Sequence, residues 1–320
     1  MSFWCSLVAL VGSVPALAEP PPATEPLQPL PGASGAPIEQ VLVEAPEPRY
    51  VAPNRRDRIG RVWAPVLING QGPFRLVLDT GASGSAVIAS VAQQLGISLE
   101  DARTVHLHGV TGSAVVPAIE VDSIEVGDLL LEGKRLPVVA DAFGGAEGVL
   151  GSEGLLDKRI SIDFRRDQIS IMRSRRQSAA PAFSEIPLTL GRNRLLTLDV
   201  RIGSVPVKAI LDTGAQVTVG NRALRELLRR RPKDTGLTQE IMGVTLDVAR
   251  GELVPIPTMY IGPIEVRGLR LTFGDMSIFE RWRYTREPAL LIGMDVIGSF
   301  DAMVIDYAKR ELQVRTRNSF

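Results

Sequence analysis

Short apolar runs, separated by glycine, proline and polar turns, dominate the hydrophobic pattern of this chain. Residues 66–70 followed by 74–78, and residues 200–203 followed by 207–211, each have the pattern of two strands joined by a tight turn. Long stretches with helical periodicity are rare. The pattern therefore predicts a mainly β protein.

The order of these runs repeats along the chain. The first predicted hairpin ends at Asp79, and the second ends at Asp212. An apolar segment followed by glycine recurs later in each copy, at Gly151 and at Gly293, and a closing strand pattern follows each of them. We therefore interpret the chain as a duplication of one structural unit.

The second copy is the longer one. Short helices are predicted at matching places in both copies, near residues 90–95 and 222–231. The additional length of the second copy lies between Phe273 and Pro288, as expected of an insertion into a loop. The aromatic residues of this insertion, within residues 279–284, fit two roles equally well: they line a substrate pocket, or they anchor a long loop.

Each copy carries the sequence Leu-Asp-Thr-Gly-Ala at the end of its hairpin, at residues 78–82 and 211–215. Glycine lacks a Cβ and so lets the backbone approach a partner closely. If two duplicated units bring their aspartates to about 3 Å, the like charges cannot both ionise and the pair holds one proton. Asp79 and Asp212 are therefore a candidate catalytic acid and base.

These motifs resemble those of the pepsin- and retropepsin-type aspartic proteases, from near Arg56 to the end of the chain. The resemblance implies a mainly β, two-lobed acid-protease fold, built from a duplicated retropepsin-like β-barrel unit with short helices. It implies an aspartic endopeptidase that hydrolyses peptide bonds with a water activated between two aspartates, without a metal ion or an organic cofactor. The residues expected to support the catalytic loops are Thr80, Gly81, Thr213 and Gly214.

The residues that follow each motif refine the resemblance. Ala82 and Ala215 are similar to the alanine of retroviral-type enzymes, whereas pepsin has a hydroxyl side chain there. The next residue is Ser83 in the first copy, as in retropepsins, but Gln216 in the second. The second motif therefore departs from the family pattern.

Two glycine-flanked segments lie where that family has its flaps, the hairpins that cover the substrate. The segments occupy corresponding positions in the two copies, and the alternative is that they are simple surface hairpins. The resemblance implies substrate-binding roles for Gly109, Val110, Thr111, Gly112, Gly243, Val244 and Thr245.

Two other readings of the same motifs remain open. The fold could serve as a non-catalytic peptide-binding module, or the two retropepsin-like units could each pair with another chain. Aspartates in both copies argue against the first, because adjacent buried carboxylates are costly to keep. With both motifs in one chain, we expect a monomer with internal pseudo-twofold symmetry that acts on polypeptides.

Composition and charge exclude several classes of function. The 36 basic and 36 acidic residues leave no net charge, which argues against a nucleic-acid or anionic-membrane partner. The single cysteine, Cys5, excludes disulfides and makes thiolate chemistry after the N-terminal segment impossible. His106 and His108 alternate on a predicted strand without a third ligand nearby, so we expect exposed positions and no metal site.

The N-terminal part of the chain, before Arg56, differs from the remainder. Residues 1–18 are apolar, too short to span a bilayer, and end in Ala-Leu-Ala, which predicts a signal peptide or an N-terminal anchor. Proline-rich residues 19–55 predict an extended tether, with a propeptide as the alternative. The other predicted boundaries are 56–174 for the first lobe, 175–185 for a connector and 186–320 for the second lobe. The expected location is the periplasm or exterior of a bacterium.

Overall fold

The computed structural model describes residues 60–191, 195–228 and 236–316, together with the backbone of three short strands nearer the N-terminus. The first part of the chain contains β1 (Ser2–Trp4), β2 (Val8–Leu10), β3 (Leu42–Glu44), β4 (Trp63–Ile68), β5 (Gln71–Leu78), β6 (Ala86–Ile88), α1 (Ala89–Gln94), β7 (Thr104–His108), β8 (Ser113–Val126), β9 (Leu129–Val139), β10 (Gly148–Leu150), β11 (Lys158–Asp163), β12 (Gln168–Arg173) and β13 (Ser184–Pro187).

In the second part of the chain the strands from β4 to β12 have counterparts in the same order, except that two long strands of the first part are each replaced by two shorter ones. It contains β14 (Thr189–Leu190), β15 (Leu196–Ile202), β16 (Val205–Leu211), β17 (Val219–Gly220), α2 (Arg222–Leu228), β18 (Thr238–Gly243), β19 (Val248–Pro255), β20 (Met259–Ile261), β21 (Ile264–Arg267), β22 (Arg270–Phe273), α3 (Ser277–Arg281), β23 (Ala289–Ile292), α4 (Met294–Ile297), β24 (Ala302–Asp306) and β25 (Glu311–Arg315). The chain is thus mainly β with short helices, as the sequence predicts.

A closed barrel of six strands forms the first lobe. Its strands are hydrogen-bonded in the order β8, β4, β5, β10, β6 and β9, and β9 pairs again with β8. The last three residues of β5, Leu76, Val77 and Leu78, are all fully buried, because β5 has neighbours on both edges. Closure leaves this ring without a free edge.

The second lobe has the same order of elements but an interrupted ring. The single strand β8 corresponds to β19 and β20, and β9 corresponds to β21 and β22. Pro257, which has no N–H to donate, lies between β19 and β20. Gly268 lies between β21 and β22 with φ of +70°, a turn conformation that side chains disfavour. These two positions account for the divided strands.

A five-stranded sheet joins the two lobes. Its order is β12, β11, β24, β25 and β13, so two strands of each copy are joined in one sheet, and β13 lies at the edge beside β25. At its centre β11 of the first copy pairs antiparallel with β24 of the second. Across this pair Arg159 and Asp306, both buried, form an ion pair of 3.2 Å. Asp306 also accepts a hydrogen bond of 2.8 Å from the Ser174 hydroxyl.

Helices α1 and α2 form where short helices are predicted, although residues 229–231 of the second prediction lie outside the described residues. The predicted signal segment and tether also lie outside them, except for the backbones of β1, β2 and β3. These pair with β7, β18 and β21 respectively. The boundaries and the location remain predictions. No helix in the described ranges is long and apolar enough to cross a membrane.

Loss of the buried ion pair should weaken the junction between the lobes. Arg159→Met leaves the buried Asp306 carboxylate without its cation, so we expect the free energy of unfolding to fall by about 3 kcal/mol. The matched control is Arg250→Met, since Arg250 pairs with Glu240 at 2.6 Å on the surface and such pairs contribute less than about 1 kcal/mol. Urea unfolding measures both. Equal losses in the two variants would contradict the prediction.

Candidate active site

Asp79 lies at the end of β5, where the chain turns beneath the junction of the two lobes. Its N–H donates to the carbonyl of Leu150 in β10 at 2.9 Å, which fixes the start of the turn. Its Oδ1 accepts hydrogen bonds of 2.9 Å from the N–H groups of Gly81 and Ala82. The carboxylate is fully buried, so these backbone donors fix its position within the protein.

Asp212 has the same surroundings in the second lobe. Its N–H donates to the Ile292 carbonyl at 3.0 Å, and its Oδ1 accepts from Gly214 at 2.9 Å and Ala215 at 3.1 Å. This residue is also fully buried. The duplication is therefore preserved down to individual hydrogen bonds.

The two loops are joined through their threonines. The Thr80 hydroxyl donates to the Leu211 carbonyl at 2.7 Å, and the Thr213 hydroxyl donates to the Leu78 carbonyl at 2.6 Å. Each hydroxyl oxygen also accepts a 3.2 Å hydrogen bond from the other threonine's N–H. All four bonds cross between the lobes, so each lobe helps to fix the aspartate of the other.

Gly214 shows how closely the loops approach. A Cβ placed on Gly214 would lie 2.3 Å from Cγ of Asp79, so any other residue would displace the opposite carboxylate. The structure thus brings Asp79 and the loop of Asp212 into contact, with Thr80, Gly81 and Thr213 around them.

The two apolar-glycine segments support the loops from behind. A Cβ on Gly151 would lie 2.5 Å from the backbone carbon of Gly84, and one on Gly293 would lie 2.6 Å from that of Val217. The N–H groups of these two glycines donate to the hydroxyls of Ser85 and Thr218, at 3.2 and 3.1 Å. Glycine is therefore required in both segments for steric reasons.

A carboxylate lies behind each of these hydroxyl residues. Glu153 accepts from the Ser85 N–H at 2.8 Å. Asp295 accepts from the Thr218 N–H at 2.9 Å and from its hydroxyl at 2.6 Å. Burial of this carboxylate raises the pKa of Asp295 to about 6, although the hydrogen bonds from Thr218 oppose the shift. Sequence reasoning did not predict these supporting hydroxyl and carboxylate groups. Ser85 and Thr218 stand at the same position after Asp79 and Asp212, and this repeated hydroxyl could have indicated them.

Arg61 is a further residue that sequence reasoning missed. Its side chain is fully buried, and its Nη1 donates to the Gly214 carbonyl at 3.4 Å. A cation from the first lobe thus lies against the catalytic loop of the second. Nothing in the local sequence distinguishes this arginine from the many exposed ones.

Tyr307 was also not predicted to be near the site. Burial raises the pKa of Tyr307, and the charge of Asp79 raises the same pKa further. Its hydroxyl is buried, with no hydrogen-bond partner among the described residues. The corresponding residue of the first copy is Phe164, which shows that the hydroxyl is not needed at the equivalent position.

Both predicted flap segments form hairpin turns. In the first, flap 1, residues 109–112 connect β7 to β8; in the second, flap 2, residues 244–247 connect β18 to β19. The turns contact each other, because the Thr111 hydroxyl donates to the Asp247 carbonyl at 2.8 Å. Thr245 lies in the turn of flap 2, where its hydroxyl donates to the Asp247 carboxylate at 2.8 Å.

The two histidines differ in environment. His106 is exposed as expected, but His108 is partly buried, because flap 1 packs against the second lobe. Burial lowers the pKa of His108, and the charges of Arg281 and His106 lower it further. The described ranges contain no group of three His, Cys, Asp or Glu side chains arranged for a metal ion.

The inserted segment of the second copy packs inwards. Phe279 and Trp282 are buried and meet edge to face, with ring centroids 6.4 Å apart. Trp282 and Tyr284 also line a cavity of about 250 Å³ beside Thr197. The aromatics therefore anchor the loop, and two of them also border a small cavity.

Comparison with known proteins agrees with this geometry. Residues 64–156 match a family model described as gag-polyprotein putative aspartyl protease. Residues 198–296 match a second family model, described as aspartyl protease. No curated protein matches the chain. Each match contains one of the two aspartate loops and one apolar-glycine segment.

The carboxylate of Asp295 should make stability depend on pH. Its pKa in the folded protein, about 6, exceeds the ordinary value of 3.8, so its stabilising contribution is complete below about pH 4 and disappears as pH rises through 6. The difference in unfolding free energy between wild type and Asp295→Asn should fall by about 2–3 kcal/mol from pH 4 to pH 7. Urea unfolding at both pH values measures this, and a constant difference would contradict it.

Removal of the Tyr307 hydroxyl should not destabilise the protein. Tyr307→Phe deletes a buried hydroxyl without a hydrogen-bond partner among the described residues, so we expect the free energy of unfolding to stay unchanged or rise by up to about 2 kcal/mol. Tyr260→Phe, at a partly exposed position, is the control and should change little. A loss above about 1 kcal/mol in Tyr307→Phe, measured by urea unfolding, would show that the hydroxyl has a stabilising partner.

Proposed function

We propose that this chain, which carries two retropepsin-like aspartyl protease domains, is an aspartic endopeptidase with its site between Asp79 and Asp212. The observation that carries the proposal is the matched pair of buried aspartates, each with Oδ1 bonded to two backbone N–H groups. The backbone of each loop thus fixes the carboxyl group of its own aspartate. Four threonine hydrogen bonds keep the two loops in one arrangement.

The chemistry follows from two neighbouring carboxyl groups that share one proton. The ionised group takes a proton from a water as the water oxygen bonds to the scissile carbonyl carbon. The protonated group donates to the carbonyl oxygen, so a neutral tetrahedral intermediate forms. As it collapses, the C–N bond breaks, the carboxyl group that took the proton from water gives it to the amine nitrogen, and a hydroxyl of the intermediate gives its proton to the other carboxylate. The pair thus returns to its starting state with one shared proton.

A polypeptide in extended conformation is the substrate that the flaps favour. An extended peptide binds to a free strand edge through its backbone, and pockets for alternate side chains give selectivity. Strands β7 and β18, which lead into the two flaps, pair with the short N-terminal strands β1 and β2. These pairings support the proposal that both edges accept an extended chain.

One chain is sufficient to build the site. Both loops and all four threonine hydrogen bonds are provided within a single copy. The effective concentration of one lobe near the other lobe of the same chain is about millimolar. This is higher than ordinary protein concentrations, so the lobes pair within a chain in preference to pairing between chains. We therefore propose an active monomer.

Substitution of either aspartate tests the proposal. Asp79→Asn and Asp212→Asn should each lower the cleavage rate at least about 1000-fold, because one shared proton requires both carboxyl groups. Asparagine keeps the Oδ1 acceptor, so both variants should unfold at the same temperature as wild type. Cleavage sites are read by mass spectrometry after incubation with a denatured protein mixture, and Asp101→Asn, at an exposed position, is the control.

Three results would contradict the proposal. Near-normal cleavage by either aspartate variant would exclude a shared site. Restored activity on mixing Asp79→Asn with Asp212→Asn would show a site formed between chains. Peptide binding without any cleavage by the wild type would indicate a binding module.

A further inference from the structure

The two lobes differ most in one connection. Between β9 and β10 the first lobe has only the short segment 140–147, without a helix, whereas between β22 and β23 the second lobe has the longer segment 274–288, which includes α3. The elements on either side of this connection follow the same order in both copies. The insertion therefore gives the second lobe a structure for which the first lobe has no counterpart.

Helix α3 holds the tip of flap 1. The Ser277 hydroxyl donates to the Val110 carbonyl at 2.9 Å and lies 3.4 Å from the Gly109 carbonyl. The N–H of Ile278 donates to the same Val110 carbonyl at 3.3 Å. The first residues of α3 thus provide two donors to one carbonyl at the tip of the flap.

The side chain of Val110 adds an apolar contact to these hydrogen bonds. It is fully buried in a cluster that includes Ile278 and Phe279 of the insertion and Ala215 of the second catalytic loop. Among the described residues, Val110 is the only first-lobe member of this cluster. The tip of flap 1 is therefore packed into the core of the opposite lobe.

Two further observations relate the insertion to its neighbours. The charge of Arg281 lowers the pKa of His108, at the base of flap 1, in addition to the larger effect of burial. At the far end of the insertion, the Asn221 amide donates to the carbonyls of Tyr284 and Glu287 at 2.6 and 2.8 Å. Asn221, which precedes α2, therefore holds the end of the insertion, and flap 1 contacts its start.

Flap 2 is held in a different way. Its residue Val244 is buried in the large core cluster, which contains residues of both lobes. Its Asp247 carbonyl accepts the hydrogen bond from Thr111 of flap 1. The connection 140–147 is too short to provide a helix like α3, so among the described residues only flap 1 is hydrogen-bonded to a helix of the opposite lobe.

We propose that Ser277 is a positioning residue for peptide hydrolysis, which fixes the tip of flap 1 over the site through the Val110 carbonyl. This inference rests on the proposed function. Ser277 acts through the backbone of flap 1, where an extended substrate binds, and not through contact with the aspartates.

Removal of the Ser277 hydroxyl tests this role by kinetics. Ser277→Ala should raise KM about fivefold and change kcat less than about twofold, because a loosened flap binds substrate and transition state equally weakly. Ser277→Thr retains the hydroxyl and should restore KM. The substrate is a fluorogenic peptide based on a cleavage site found by mass spectrometry. Ser98→Ala makes the same change at an exposed loop position and should leave both constants unchanged.

A purely structural role would give a different result. If Ser277→Ala only reduces the folded fraction, the apparent kcat falls and KM stays constant, which overturns the proposal. A KM that Ser277→Thr fails to restore also overturns it.

Hydrogen exchange provides a readout that needs no activity. In Ser277→Ala the amide of Ile278 should exchange about fivefold faster, as loss of one hydrogen bond predicts, while amides of β11 and β24 keep their rates. Unchanged exchange at Ile278 overturns the role of Ser277. Absence of cleavage by the wild type would contradict the proposed function, and the exchange result would still decide whether Ser277 holds flap 1.

Discussion

The exchange of hydrogen bonds between Thr80 and Thr213 is the interaction on which the site depends. Each hydroxyl donates to a carbonyl of the opposite lobe and accepts from the opposite threonine's N–H. These bonds are buried, where an unpaired polar group is costly, so the two loops are stable only together. The lobes are therefore parts of one site, and the sheet containing β11 and β24 joins them a second time.

Glycine and small side chains permit this close junction. Gly214 has no room for a Cβ beside Asp79, and Gly151 and Gly293 have none beside the catalytic loops. Close contact of the backbones lets the N–H groups of each loop donate hydrogen bonds of 2.9–3.1 Å to its aspartate. The same closeness places polar groups near one another: Arg61 lies against Gly214, and the charge of Asp79 raises the pKa of Tyr307. Buried polar side chains from both lobes therefore lie around the two aspartate loops.

Departures from symmetry are concentrated away from the catalytic loops. The first lobe is a closed barrel, while Pro257 and Gly268 divide the strands of the second. The insertion that contains α3 is also confined to the second lobe, and it receives the tip of flap 1. Symmetry is retained where both lobes must provide the same bonds, and it is lost where a loop or strand can change without disturbing them. The flaps are consequently unequal although the aspartates are equivalent.

The sequence by itself determined the duplication, the mainly β character, the two loops and the candidate aspartates, because these depend on local order: apolar runs, turn glycines and a repeated motif. It also located the two glycine-flanked hairpins and the insertion. Only the tertiary structure decided which distant residues meet. Arg61 resembles any other arginine in the sequence, and Ser277 lies far along the chain from Val110, so no local pattern relates either of them to the site. The structure also shows where the aromatic residues of the insertion lie: Phe279 and Trp282 are buried in a core cluster, and Trp282 and Tyr284 border a small cavity. Such contacts arise from packing between elements that are distant in sequence, and packing leaves no periodic signal in the chain.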